Sequence, residues 1–198
     1  NLSETFFYPV LGNHDYRGNV DAQILYTEKS THWKMPFLYY NYVYYLADHT
    51  KIEFFALDSN IILDRNSLAI DQKEWFENVL SISDADWKIV YMHHPLYSNG
   101  RHGNTEILIN ELQPLFEQYS IDICISGHDH DLQVIKPLNG IHYFVSGAAG
   151  KVRSTDFDVN SLYAKGTFGF MTFKISKDAI IVRAIIDNAF EDYELIIK

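Results

Sequence analysis

Three apolar runs in this chain end in the same kind of residue, and that restricts what it can fold into. Phe6-Phe7-Tyr8-Pro9-Val10-Leu11 leads into Gly12-Asn13-His14-Asp15. Trp87-Lys88-Ile89-Val90-Tyr91-Met92 leads into His93-His94-Pro95, and Ile121-Asp122-Ile123-Cys124-Ile125 into Ser126-Gly127-His128-Asp129-His130. Each run is short and rich in β-formers, which reads as a strand. Open α/β sheets collect ligands at the carboxyl ends of their strands, so imidazoles at three such ends belong to one crevice. Taken alone, the pair at 128 and 130 is equally the pair of an ordinary surface loop. Beside a glycine, though, histidines at i and i+2 can aim two nitrogens at one place.

The rest of the chain supplies what such a sheet needs. A helix is predicted over about residues 20–28, and an aromatic strand over 37–46 with a hairpin partner at 52–57 ending in Asp58-Ser59. Leu68, Gln72, Trp75, Phe76, Val79 and Leu80 recur at helical spacing, while Asp71, Lys73, Glu74 and Glu77 can face water. A second amphipathic helix covers 105–119, where Pro114 introduces a kink or starts a new short helix. The alternation of strand and helix up to Ser126 implies parallel strands joined by right-handed crossovers. Beyond it, 141–145 reads as a strand, Ser146-Gly147-Ala148-Ala149-Gly150 as a small-residue bend and 151–165 as a loop. Three antiparallel strands follow at 168–175, 179–186 and 193–197, with turns at Ser176-Lys177-Asp178 and Asp187-Asn188.

Composition removes some alternatives. A formal charge of -10 disfavours nucleic-acid binding through a basic face, and no apolar stretch is long enough to span a bilayer. The single cysteine, Cys124, lies inside an apolar run and reads as a small buried hydrophobe. Five imidazoles, from His14, His93, His94, His128 and His130, together with the Asn13 amide oxygen, suit zinc, iron or manganese better than calcium or magnesium, which prefer oxygen shells. Ser98-Asn99-Gly100-Arg101-His102-Gly103 forms a glycine-bracketed loop that can bring His102 over the same crevice. Asp15 is either an orienting partner for this group or the N-cap of the turn that follows it. His142, alternating with apolar neighbours, is structural or functional.

Gly12-Asn13-His14-Asp15, His93-x-Pro95 and Gly127-His128-x-His130 occur in the order and strand context of the calcineurin-like metallophosphoesterases. Val10 to Asn19, the His102-Gly103 loop, Ser126 to Gln133 and Ser146-Gly147-Ala148 resemble in particular the purple acid phosphatases of the tartrate-resistant type. The resemblance implies an α/β fold, a metallophosphoesterase-type sandwich of two mixed β-sheets flanked by helices. It also implies two metal ions, iron plus zinc, iron or manganese. Asn13, His93 and His128 would hold the divalent ion and His130 the neighbouring ferric ion. His14 and His102 would be catalytic, hydrogen-bonding the phosphoryl group or protonating the leaving alkoxide, in an acid phosphatase that hydrolyses phosphate monoesters.

The family's early aspartate motif and its Gly-Asp-x-x-Tyr motif precede Gly-Asn-His-Asp, and nothing here matches them. Residues 1–198 are therefore expected to be the C-terminal part of a single catalytic domain, with the N-terminal βαβ part missing. The partner would be a phosphorylated small molecule or a phosphoprotein, with no nucleic acid. A secreted, periplasmic or lysosomal-type compartment is implied by the resemblance alone. The competing expectations are action on phosphodiesters, nucleotides or pyrophosphates, and a non-catalytic scaffold of the same fold.

Overall fold

The structure, a computed structural model, describes residues 5–65, 67–187 and 190–198. Its centre is a seven-stranded mixed sheet. In chain order, α1 (Val20–Lys29) is followed by β1 (Tyr40–Tyr45), β2 (Lys51–Ala56), α2 (Ser59–Asp64), α3 (Ser67–Ser81), β3 (Trp87–Tyr91) and α4 (Glu106–Gln118). Next come β4 (Ile123–Ser126), β5 (Leu132–Leu138), β6 (Ile141–Ser146), β7 (Ser161–Lys165), β8 (Gly169–Ile175), β9 (Ile180–Ile186) and β10 (Phe190–Ile197). The large sheet runs β1-β2-β3-β4-β6-β5-β7 and the small one β10-β9-β8. Strands β2, β3, β4 and β6 are parallel, the outer pairs of the large sheet are antiparallel, and the small sheet is antiparallel throughout.

Strand periodicity sorts the core into two layers. Phe55, Val90, Cys124 and Tyr143 face the helices, where they meet Phe76, Leu108, Leu112 and Phe116. Their neighbours Phe54, Ile89, Ile123 and Phe144 face the small sheet and pack with Val182, Phe173 and Ile197. With both faces covered, the central strands read as continuous apolar runs rather than alternating ones. Cys124 is a buried core residue, as its run suggested.

Several elements depart from expectation for identifiable reasons. Phe6 to Leu11 is not a strand. Among the described residues its only pairing is one bridge between Phe7 and Trp33, and Pro9 has no N–H with which to extend a ladder. The helix with Pro114 is a single helix, α4. Residues 151–165 end in strand β7, and α2 and β5 are additional elements. Asp58 caps α2 by accepting the Asn60 N–H at 2.9 Å. Strand β5 contains Pro137, and its pairing shifts register between Ile135 and Leu138, where a missing donor is tolerated. In the expected turn at Asp187-Asn188, Asn188 lies outside the described residues.

Candidate metal centre

The ends of β3 and β4 are fastened together beyond the ladder. The Met92 N–H donates to the Ile125 carbonyl at 3.0 Å and the Gly127 N–H to the His93 carbonyl at 3.0 Å. His93 and His128 therefore leave adjacent strand ends, with ring centroids 5.0 Å apart. His128 has φ 63°, a left-handed conformation that costs a non-glycine residue about 1–3 kcal/mol and recurs at functional sites. It turns the chain sharply enough for the Asp129 N–H to reach the Gly127 carbonyl at 2.7 Å.

Asn13 arrives from the other side in a stapled turn. Asp15 does not cap the turn that follows, a 3-10 turn over Asp15–Arg17 of which it is the first residue and His14 the N-cap. Its carboxylate accepts the Gly12 N–H at 2.8 Å, while the Asp15 N–H donates to the Gly12 carbonyl at 3.1 Å. Gly12 permits a close approach, since a Cβ there would stand 3.0 Å from the His93 ring. The turn is tied to the start of α2, with Asn60 Nδ2 donating to the Leu11 carbonyl and the Tyr16 hydroxyl to Asp58.

These constraints bring donor atoms together. Asn13 Oδ1 lies 3.1 Å from His93 Nε2, which lies 3.1 Å from His128 Nδ1. Adjacent donors on one ion with bonds of about 2.0–2.1 Å sit about 3 Å apart, so the set fits a transition metal. Burial, reinforced by the neighbouring His128, pushes the His93 pKa down to about 4, and burial likewise lowers that of His128. Both imidazoles therefore keep lone pairs to donate. His130, whose pKa is also lowered by burial, has a buried Nδ1 with no hydrogen-bond partner among the described residues. Such an orphaned nitrogen fits a second ion.

A cavity of about 480 Å³ opens over this group, and Asn13, His14, His93, His102, His128 and His130 all line it. All six residues expected from sequence are thus brought together. The loop carrying His102 places its ring 4.2 Å from that of His128. His102 Nδ1 lies 2.7 Å from Asp129 Oδ1, which also accepts the His102 backbone N–H. Asp129 is buried and held from behind by the Ser98 hydroxyl at 2.5 Å. His102 Nε2 is thereby left facing the cavity.

Sequence reasoning missed two participants, Asp129 and Arg153. Asp129 drew no reading of its own, and its position between His128 and His130 was the available signal. Arg153 enters the cavity wall from a loop with no recognisable pattern. His94, counted among the five imidazoles of the crevice but not among the ligands the resemblance implies, has donor atoms within 4.8 Å of those of His93 and His128. Its Nδ1 lies 2.9 Å from Ser59 Oγ, and burial drives its pKa down to about 3. His142, on β6, is outside the cavity lining.

Fold and site together define a class. The chain belongs to the calcineurin-like phosphoesterase family, whose model matches residues 2–132. It is 32% identical over 163 residues to tartrate-resistant acid phosphatase type 5 of Homo sapiens, a match covering 74% of this chain and 50% of that protein. The chain thus spans about half the length of that relative. Among solved structures, GAP50, the anchor in the inner membrane complex of Plasmodium, superposes with a TM-score of 0.86 at 23% identity, covering 96% of this chain and 66% of that one. The purple acid phosphatase PPD1 from yellow lupin (Lupinus luteus) seeds gives 0.75 at 19% identity, covering all of this chain and 39% of that one. Its similarity to the acid phosphatases implies metal ions, and no helix among the described residues is long and apolar enough to cross a membrane.

Proposed function

We propose that the chain is the C-terminal part of a dinuclear acid phosphatase domain that hydrolyses phosphate monoesters. The observation that carries this reading is the convergence of Asn13 Oδ1, His93 Nε2 and His128 Nδ1 under the same cavity that His14 and His102 line. Asn13, His93 and His128 would hold one ion, zinc, iron or manganese, and His130 would contribute to a neighbouring iron. When bound, such ions polarise phosphoryl oxygens and make water nucleophilic. The remaining chemistry belongs to the protein. The Asp129 carboxylate accepts a hydrogen bond from His102 Nδ1–H, fixing the ring so that Nε2 points at the substrate. From there a protonated Nε2 can give its proton to the leaving oxygen as the P–O bond breaks, while the attacking water supplies the new P–O bond. His14, exposed at the mouth, hydrogen-bonds the phosphoryl group.

The substrate would be a phosphorylated small molecule or a phosphoprotein, met in a secreted, periplasmic or lysosomal-type compartment. The likeness to GAP50 favours a second reading, a scaffold that keeps the fold without turnover. One experiment separates them. The full-length protein is assayed for metal by elemental analysis and for p-nitrophenyl phosphate hydrolysis at acid pH, with and without chelator. Two metal equivalents and chelator-sensitive turnover support the phosphatase, whereas metal-free protein with no turnover supports the scaffold. Metal with selective phosphodiester cleavage would move the substrate class.

A further inference from the structure

The chain is acidic overall, yet three of its five arginines line two adjoining cavities. Arg17 and Arg153 border the imidazole cavity, and Arg153 is shared with a second cavity of about 400 Å³ whose wall includes Arg101, Ser154 and Asp156. Arg153 is thus the partition between them, with Nη1 3.5 Å from His102 Nε2.

Its backbone is fixed from both sides. The Arg153 N–H donates to the His130 carbonyl at 2.8 Å, and its own carbonyl lies against Gly166, where a Cβ would come within 2.4 Å of that oxygen. Among the described residues, neither Arg153 nor Arg101 is in an ion pair, although Arg183 and several lysines are. The amide nitrogen of Asn99, also in this wall, is already committed to Asp158 and Ser161. That leaves two guanidiniums and the Ser154 hydroxyl as donors, opposed by the Asp156 carboxylate. In a protein whose net charge is negative, this is a local excess of positive charge beside the cavity that would hold the phosphoryl group.

We propose that Arg153 and Arg101 form a second anion subsite, which takes a carboxylate or phosphate carried by the leaving group of the ester. The preferred substrate class is then the phosphate monoester of an acidic alcohol. Guanidinium is suited to this because its planar fork matches either anion. The assignment rests on the phosphatase reading above for its catalytic consequence, but not for the binding itself.

The test uses the full-length protein and two esters that differ by one group, glycerol 2-phosphate and glycerate 2-phosphate. The acidic ester should have the higher kcat/KM. Arg101→Gln, altering a side chain confined to the second cavity, should lower kcat/KM for glycerate 2-phosphate about tenfold, in keeping with a charge-assisted contact at an exposed rim. It should leave glycerol 2-phosphate unchanged, and Arg101→Lys should restore part of the loss. Arg153→Gln should reduce the preference further. Equal losses on both esters, or no loss on either, would overturn the subsite. Should neither ester be hydrolysed, the phosphatase reading fails, and calorimetric titration of both esters decides the subsite. Tighter binding of the acidic ester that Arg101→Gln abolishes upholds it, and equal binding overturns it.

Discussion

His128 and His130 leave the same strand end two residues apart and enter opposite surroundings. His128 finds His93 Nε2 3.1 Å away and Asn13 one step beyond, so its side of the cavity already holds three donors at the spacing of one ion. His130 has a buried Nδ1 without a partner among the described residues. A period-2 spacing thus sends the two side chains into different surroundings, and under the dinuclear reading proposed above each imidazole would serve a separate ion.

The largest expected effect tests that separation directly. His128→Ala in the full-length protein should remove the divalent equivalent, and His130→Ala should remove the iron, each measured by elemental analysis; identical losses in the two variants would collapse the distinction. A smaller effect is expected one layer back. Asp129→Asn keeps the shape but removes the charge that orients His102, and should lower kcat about 10–100-fold with metal content unchanged. Loss of metal in that variant would instead place Asp129 in the support of His128 and His130.

Gly147→Ala probes the same layer through the backbone. An added Cβ would lie 2.0 Å from the Asp129 carbonyl, an overlap that only backbone movement relieves, at a cost of about 1–3 kcal/mol. Calorimetry should show a fall in Tm of several degrees. The smallest effect concerns pH. His93 and His94 are neutral in the fold, with pKa values of about 4 and about 3 against an ordinary 6.5. Between pH 6.5 and about 4 the unfolded chain binds more protons, so stability of the metal-free protein is full above 6.5 and falls as pH drops through this window. Thermal melts at several pH values should show it, and His94→Gln should flatten the slope.

Much of this was legible in the sequence because the relevant patterns are local. The helical spacing of Leu68 to Leu80 matches α3, and the apolar runs at 87–92 and 121–126 match β3 and β4. What escaped depends on contacts between distant residues. Strand β7 is short and polar at both ends, gaining its identity from pairing with β5. Asp129 acquires its role from Ser98 and His102, which are distant in sequence, and Arg153 from a loop fixed by His130 and Gly166. Phe6 to Leu11 failed in the opposite sense, having strand composition but, among the described residues, no pairing beyond one bridge.

The bend after β6 connects two places that otherwise share nothing. The Ser146 hydroxyl accepts the Met171 N–H of β8 at 3.0 Å, and the next residue, Gly147, rests against the backbone of Asp129. Separation of the two sheets at this point would free the Met171 amide to solvent and release the support beneath His102 in one event. Deuterium uptake at that single amide is therefore a clock for how long the His102 ring stays held by Asp129.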